Sequence, residues 1–228
     1  MQDFGVWPVR ICLCAGLLLA GCASPAEIPA VPTPVLPGLE TAKTPIPFKI
    51  RDIDIAIAPH AELGAFSAGF ACIPQGTLKW HKSDFGLTEK LLDEVFYVEA
   101  TAAGYPIAIN PASPFASFDD GRTTLWIAGA MRELRLNACY PLSPLADRYT
   151  SRAEALVTMD WRIYDRRAGG VVARIVTRGD GRVTKSGNGG DVTAILAAYS
   201  EAVRGLLAAE TFLDRMLADP SAEEDGRK

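Results

Sequence analysis

Residues 154–165 read EALVTMDWRIYD, and their alternation decides the fold. Val157, Met159, Trp161 and Ile163 share one parity; Thr158, Asp160, Arg162 and Tyr164 share the other. A period of two over this length specifies a strand with one buried face. The next five residues, RRAGG, suit a hairpin turn, because glycine accepts the positive φ such turns need. The chain then returns as a second strand over 171–183.

Working outward, 124–140 is a long strand whose apolar phase changes. Leu125, Ile127 and Met131 have one parity, Leu134, Leu136 and Ala138 the other. A β-bulge near Arg132 accounts for the switch. Residues 49–58 alternate Ile53, Ile55 and Ile57 with Asp52 and Asp54, a further strand. Ser83 or Asp84 caps a helix running to Ala103, with Leu87, Leu91, Val95, Val98 and Ala102 as its apolar stripe and Gly104 as the residue after its end. Residues 105–110 read as a short strand and 111–123 as loop. Ser186-Gly-Asn-Gly-Gly reads as a flexible connection. Asp191 then caps a final helix to Leu217, striped by Ile195, Ala198, Tyr199, Ala202, Leu206, Ala209, Leu213 and Met216. The expected fold class is α/β (α+β): a mixed, mostly antiparallel sheet of four to five strands with two main helices on one face. Its first strand–helix–strand unit should cross over right-handed.

The domain so defined is 48–218, about 170 residues, enough for one real core. Residues 219–228 read as a disordered tail. A net charge of −4 argues against nucleic acid as a partner. Ahead of the domain, 22–47 holds prolines 25, 29, 32, 34, 37, 45 and 47, which suit neither helix nor sheet and should extend at ~3.1 Å per residue. Ahead of that, the apolar run 11–21 is shorter than the ~20 residues a helix needs to span a bilayer. It has the length of a secretory signal core, preceded by Arg10. Leu19-Ala20-Gly21-Cys22 resembles the bacterial lipobox, which makes 1–21 a lipoprotein signal peptide and Cys22 the lipidated residue. Ala23 and Ser24, in place of an Asp, resemble outer-membrane sorting. The expected location is the outer membrane, facing the periplasm, held by acyl chains that contribute roughly 0.8 kcal/mol per buried CH₂.

Of five cysteines, Cys12 and Cys14 leave with the signal and Cys22 takes lipid. Cys72 and Cys139 remain, and export to an oxidising compartment should join them in a disulfide, worth ~4 kcal/mol in the chain-entropy model. The two histidines, His60 and His81, stand apart from any CxxC or HxxxH spacing, so neither a metal site nor a cofactor is expected.

The lipobox, the proline linker, AAGYPI at a helix end, VTMDWRIYD before a glycine hairpin and the alanine-rich terminal helix together resemble a class of periplasmic lipoproteins. That class includes TolB-N-terminal-like and curli-secretion-like domains, activators of penicillin-binding proteins, and auxiliary lipoproteins of lipid-transport systems. The resemblance implies a non-enzymatic binding or assembly module of the cell envelope, anchored to the membrane and partnered by an envelope protein or by itself. A role as an auxiliary subunit of an ABC-type lipid or solvent transporter is its alternative. Only Cys22 carries over residue by residue.

The rival class is an envelope hydrolase. The nucleophile elbow GxSxG is absent from the sequence. His81-Lys82-Ser83-Asp84 holds the residue types of a triad, but adjacent to one another, and Ser83 or Asp84 already serves as a cap. SGNGGD matches no phosphate-loop motif. Asp119-Asp120 and the acidic run 223–225 fall in a turn and in the tail, with no apolar wall to raise a pKa. The sharper candidate is the sheet face opposite the helices. There Arg162, Tyr164, Arg174 and Arg178, with Arg166, Arg167 and Arg182 near, form a basic strip for an anionic group or acidic partner. The competing account is a solvated face laced by Asp–Arg cross-strand pairs. The segment CIPQGTLKWH could offer Leu78 and Trp80 as a contact patch, or simply pack Trp80 on the sheet edge.

Overall fold

β4 (Leu125–Tyr140), β5 (Thr150–Asp165) and β6 (Gly170–Asn188) form an antiparallel meander of long strands. This computed structural model describes residues 46–81, 83–107, 125–141 and 150–217. The signal segment, Cys22, the linker up to residue 45, Lys82, the loop 111–123 and the tail 219–228 lie outside the described residues. The second edge of β4 is divided. β1 (Phe48–Ile55) pairs with its first half in parallel, and β2 (Glu62–Ala68) pairs in parallel with its last residues, Phe66 opposite Ala138 and Ala68 opposite Tyr140. β3 (Ile73–Lys79) pairs antiparallel with β2 and forms one outer edge; β6 forms the other. The sheet is six-stranded and mostly antiparallel.

The helices α1 (Glu89–Ala102), α2 (Gly190–Leu207) and α3 (Glu210–Met216) pack against it. Val157, Met159, Trp161 and Ile163 are fully buried beneath them. Trp161 is the centre: its ring lies 5.6 Å from Phe96 of α1 and 6.3 Å from Tyr199 of α2, and its indole N–H donates to Thr177 at 2.7 Å. Gly129 makes room for it, since a Cβ there would stand 2.7 Å from Trp161 Cε3. A second cluster, Phe48, Phe96, Tyr105 and Phe212, closes the end where α3 meets β1. There Tyr105 donates to the Leu207 carbonyl at 2.6 Å, and burial pushes its phenol up to about 12.

α2 sits directly on the backbone of β6. A Cβ at Gly179 would overlap the carbonyl oxygen of Ala198, and one at Gly181 that of Ala194. Small residues on both partners allow backbone-to-backbone contact, which a larger side chain on either would prevent.

The bulge at Arg132 is present, as the register slips between Met131 and Glu133, and Gly104 (φ 81) follows the end of α1. Other expectations are corrected. β1 also slips, between Ile50 and Asp52, so Phe48 and Ile50 join Ile53 in the core; Ile55 and Ile57 pack against it partly buried, with Asp52 and Asp54 exposed, as the alternation predicts. α1 starts later than Ser83 or Asp84: Thr88 is its N-cap and accepts the Leu91 N–H at 3.2 Å. Its buried face is Leu92, Val95, Phe96 and Ala100, while Val98 is 67% exposed, because Phe96 turns the helix toward the aromatic core. Beyond Tyr105 the described chain makes a single bridge, Ile107 to Phe48, and residues 108–110 lie outside the described residues. Residues 186–188 are the end of β6, paired with Thr150 and Ser151, not a flexible connection. Gly189, at φ 63, is the N-cap of α2 in place of Asp191. The terminal helix breaks after Leu207, and α3 leaves at 60°. The β2–β3 hairpin is an addition to the expected strands.

Replacing Gly179 or Gly181 by alanine should cost roughly 2–3 kcal/mol in chemical denaturation of the full chain, the scale of overpacking. Gly187→Ala, where a Cβ meets open space, serves as the neutral comparison.

Candidate functional site

Strand alternation puts Trp126, Ala128 and Ala130 of β4, Thr158, Asp160, Arg162 and Tyr164 of β5, and Arg174, Val176 and Arg178 of β6 on the face away from the helices. The register sets them in rows: Trp126 opposite Tyr164, Ala128 opposite Arg162 opposite Arg174, Ala130 opposite Asp160 opposite Val176, and Thr158 opposite Arg178. The predicted strip therefore comes together on one surface.

Its members play different parts. Asp160 is 4% exposed although it stands on this face, because arginines cover it. Arg174 grips it with two hydrogen bonds, Nε to Oδ1 at 2.8 Å and Nη2 to Oδ2 at 2.7 Å, and Arg132 lies 3.6 Å away. These bonds from Arg174 hold the Asp160 carboxyl below its usual range against the opposing effect of burial, and the Arg132 and Arg162 charges assist. Glu133 is held low first by its hydrogen bond from Arg135 at 2.7 Å, with Thr158 donating at 3.1 Å. Arg182 pairs with Glu154. Arg174 is thus a structural cation. Among the described residues, Arg162 and Arg178 form no ion pair within 4.0 Å.

At the hairpin end stands a feature the sequence reading did not contain. Trp126 and Tyr164 stack at 5.5 Å with an interplanar angle of 20°. Arg51 and Arg166 lie over the Trp126 ring, 5.0 and 5.4 Å from its centroid. Each such contact is worth about 0.5–1 kcal/mol at an exposed site. A tryptophan on the polar parity of β4 was the available signal.

The other candidates resolve as follows. His60 and His81 meet each other at 4.7 Å, and Ser83 donates to adjacent Asp84 at 3.2 Å, so those four do not assemble a nucleophile–base pair. Trp80 is buried and stacked on Phe85, 5.8 Å away; only Leu78 of that segment's pair is half-exposed. Asp191 joins three elements instead of capping α2. Tyr140 donates to it at 2.9 Å and Ser151 at 3.2 Å, and its own backbone N–H donates to Ser151 Oγ at 2.9 Å. Burial first, and Asp191 second, raise the Tyr140 phenol well above its usual value. Cys72 and Cys139 are joined by a disulfide beside a groove of about 520 Å³. No group of three His, Cys, Asp or Glu residues capable of holding a metal occurs among the described residues.

Among the described residues, the buried polar atoms Asp93 Oδ1 on α1 and the Tyr199 hydroxyl on α2 lack hydrogen-bond partners. Burial raises the Asp93 carboxyl, and Asp52, Glu89 and Glu94 add to the effect.

No family model matches the chain, and no curated protein matches it. A structural comparison finds a Xanthomonas campestris crystal structure assigned to DUF330, with 12% identity, a TM-score of 0.34, and coverage of 80% of this chain and 88% of that one. That is too remote for function to pass between them.

Asp160 and Asp93, whose carboxyls are shifted in opposite directions, should respond to pH in opposite senses. Asp160, held low in the fold, stabilises above its unfolded pKa of ~3.9, and this is lost as pH falls through the folded value. Asp93, raised in the fold, is best tolerated below ~3.9 and destabilises as pH rises through its folded value. Urea denaturation from pH 3 to 7 should find Asp160→Asn about 1–2 kcal/mol less stable than wild type at pH 7, with a flatter acid limb. Asp93→Asn should be more stable at pH 7, by up to ~1 kcal/mol after solvent screening.

Proposed function

We propose that this protein is a membrane-anchored lipoprotein of the bacterial cell envelope, tethered through Cys22 and acting as a non-enzymatic binding or assembly module. In this reading the proline linker holds the domain off the outer membrane, and the uncovered sheet face meets an acidic surface of an envelope protein. The observation that supports it is the composition of that face. Arg162 and Arg178 remain outside ion pairs among the described residues, beside a rigid Trp126–Tyr164 stack, on a chain whose net charge is −4. Rigid aromatics and arginines are the residue types that dominate binding energy at interfaces. A cationic face on an acidic protein also orients approach by an acidic partner.

Recovery of partners from solubilised envelopes, after mild crosslinking in cells, tests the reading. Arg162→Glu with Arg178→Glu, or Trp126→Ala, should reduce recovery at least about tenfold while the fold is retained, the scale of one lost hot spot. Arg174 is left intact, since reversing it would face Asp160 with a second carboxylate. Unchanged recovery with intact folding would remove this face from the reading. A transport ATPase or permease as the dominant partner would point to a transporter auxiliary; a cell-wall synthase would point to an activator.

A further inference from the structure

The hairpin β2–β3 is joined to β4 by a ladder from Phe66 to Ala68, by the Gly69 N–H donating to the Tyr140 carbonyl at 2.9 Å, by Asn137 accepting the Ala65 N–H at 2.9 Å, by the packing of Leu63 and Phe66, and by the Cys72–Cys139 disulfide. Cys72 itself has φ 51, in the left-handed region that costs a non-glycine residue about 1 kcal/mol or more. Both cysteines line the groove of about 520 Å³, which also contains Ser67, Asn137 and Arg152. Arg152 is the cross-strand partner of Cys139, yet its guanidinium is directed to the other sulfur. Nε stands 3.1 Å from Cys72 Sγ, and Nη2 contacts the same atom. A sulfur in a disulfide is a weak acceptor. A forked guanidinium is matched to an anion. The species that fits this arrangement is a Cys72 thiolate.

We propose that this disulfide is a thiol-exchange site whose reactant is a protein dithiol and whose leaving sulfur is Cys72. A thiolate of the dithiol enters the groove and attacks Cys139 Sγ. The S–S bond breaks, and its electron pair passes to Cys72 Sγ, which departs as a thiolate on Arg152. A mixed disulfide now joins the reactant to Cys139. The reactant's second thiolate attacks its own sulfur in that bond, and Cys139 leaves and takes a proton from water. The dithiol has become a disulfide, and two electrons have passed to Cys72 and Cys139. Stabilising the leaving thiolate accelerates the first step. The outcome sets whether the β2–β3 edge is fixed covalently to the sheet or held by its short ladder, the Asn137 bond and the buried Leu63.

The test uses the oxidised full chain and dithiothreitol at pH 7, quenched with iodoacetamide and resolved by peptide, so that Cys72 and Cys139 are followed apart from Cys12, Cys14 and Cys22. Arg152→Met should slow opening of the bond roughly fivefold or more, and Arg152→Lys should retain part of the rate. A biotinylated monothiol should be trapped on Cys139 in the wild-type chain. Equal rates in all three proteins, or trapping on Cys72, overturns the proposal. Should Arg152→Met fail to fold, the position of the trapped monothiol in the wild-type chain decides.

Discussion

Helix α2 rests on two glycines, and the rest of the structure is arranged around that contact. Gly179 and Gly181 face Ala194, Ala198 and Ala202, so the helix and strand backbones approach as closely as atoms allow. Small residues occur on both partners in the same register, and that fixes where along β6 the helix lies. With α2 pressed down over β6, the larger side chains of β5 rise beside it. Trp161 fills the space between α1 and α2 and needs Gly129 beneath its ring. The inward parity is therefore bulky on β5 and bare on β6 at Gly179 and Gly181, and a one-residue slip would bring Arg178 or Asp180 beneath the helix.

The same parity rule loads the opposite face with charge. A sheet covered on one side can place its ionisable groups only on the other, and three adjacent strands contribute them here in register. Burying Asp160 at 4% exposure would be costly for an isolated carboxylate. The forked bond from Arg174, with Arg132 nearby, offsets that cost and makes the centre of the face a fixed platform. Arg162 and Arg178 stand on the rows that flank it, with their positions set by strand geometry and their charge unspent on close ion pairs among the described residues.

How far this was legible in the sequence depends on the range of the interactions. The meander was legible because alternation is local: Val157 to Ile163 state their own burial, and the flip from Met131 to Leu134 marks a bulge without any partner. The Arg162, Tyr164, Arg174 and Arg178 strip followed from hairpin register alone. Trp126 did not, because its stack depends on β4 lying against β5 and its cations come from β1 and the turn. The start of α1 was ambiguous because Ser83, Asp84 and Thr88 are all competent caps. The choice was made by Phe85 and Leu87, which are drawn into the core ahead of the helix, Phe85 onto Trp80. Asp191 looked like a cap for the same local reason, while its partners lie at Tyr140 and Ser151, far along the chain. The β2–β3 hairpin carries little alternation, and β3 is exposed along nearly all its length, so no periodic signal announces it.

That last element shows a division of labour along one edge. The first half of β4 is flanked by β1, which carries Phe48, Ile50 and Ile53 into the helix-covered core and needs no further tie. The second half is flanked by a hairpin whose outer strand buries almost nothing and whose ladder to β4 is short. Hydrophobic burial scales with area removed from water, so it holds the first half strongly and the second weakly. A covalent bond at Cys72–Cys139 ties the start of the exposed outer strand to buried β4, next to an arginine directed at one of its sulfurs. The attachment of this edge therefore combines the burial of Leu63 and Trp80 with a covalent tie at the outer strand, whereas the glycine-floored centre beneath α2 depends on close packing together with the Asp191 hydrogen bonds to Tyr140 and Ser151.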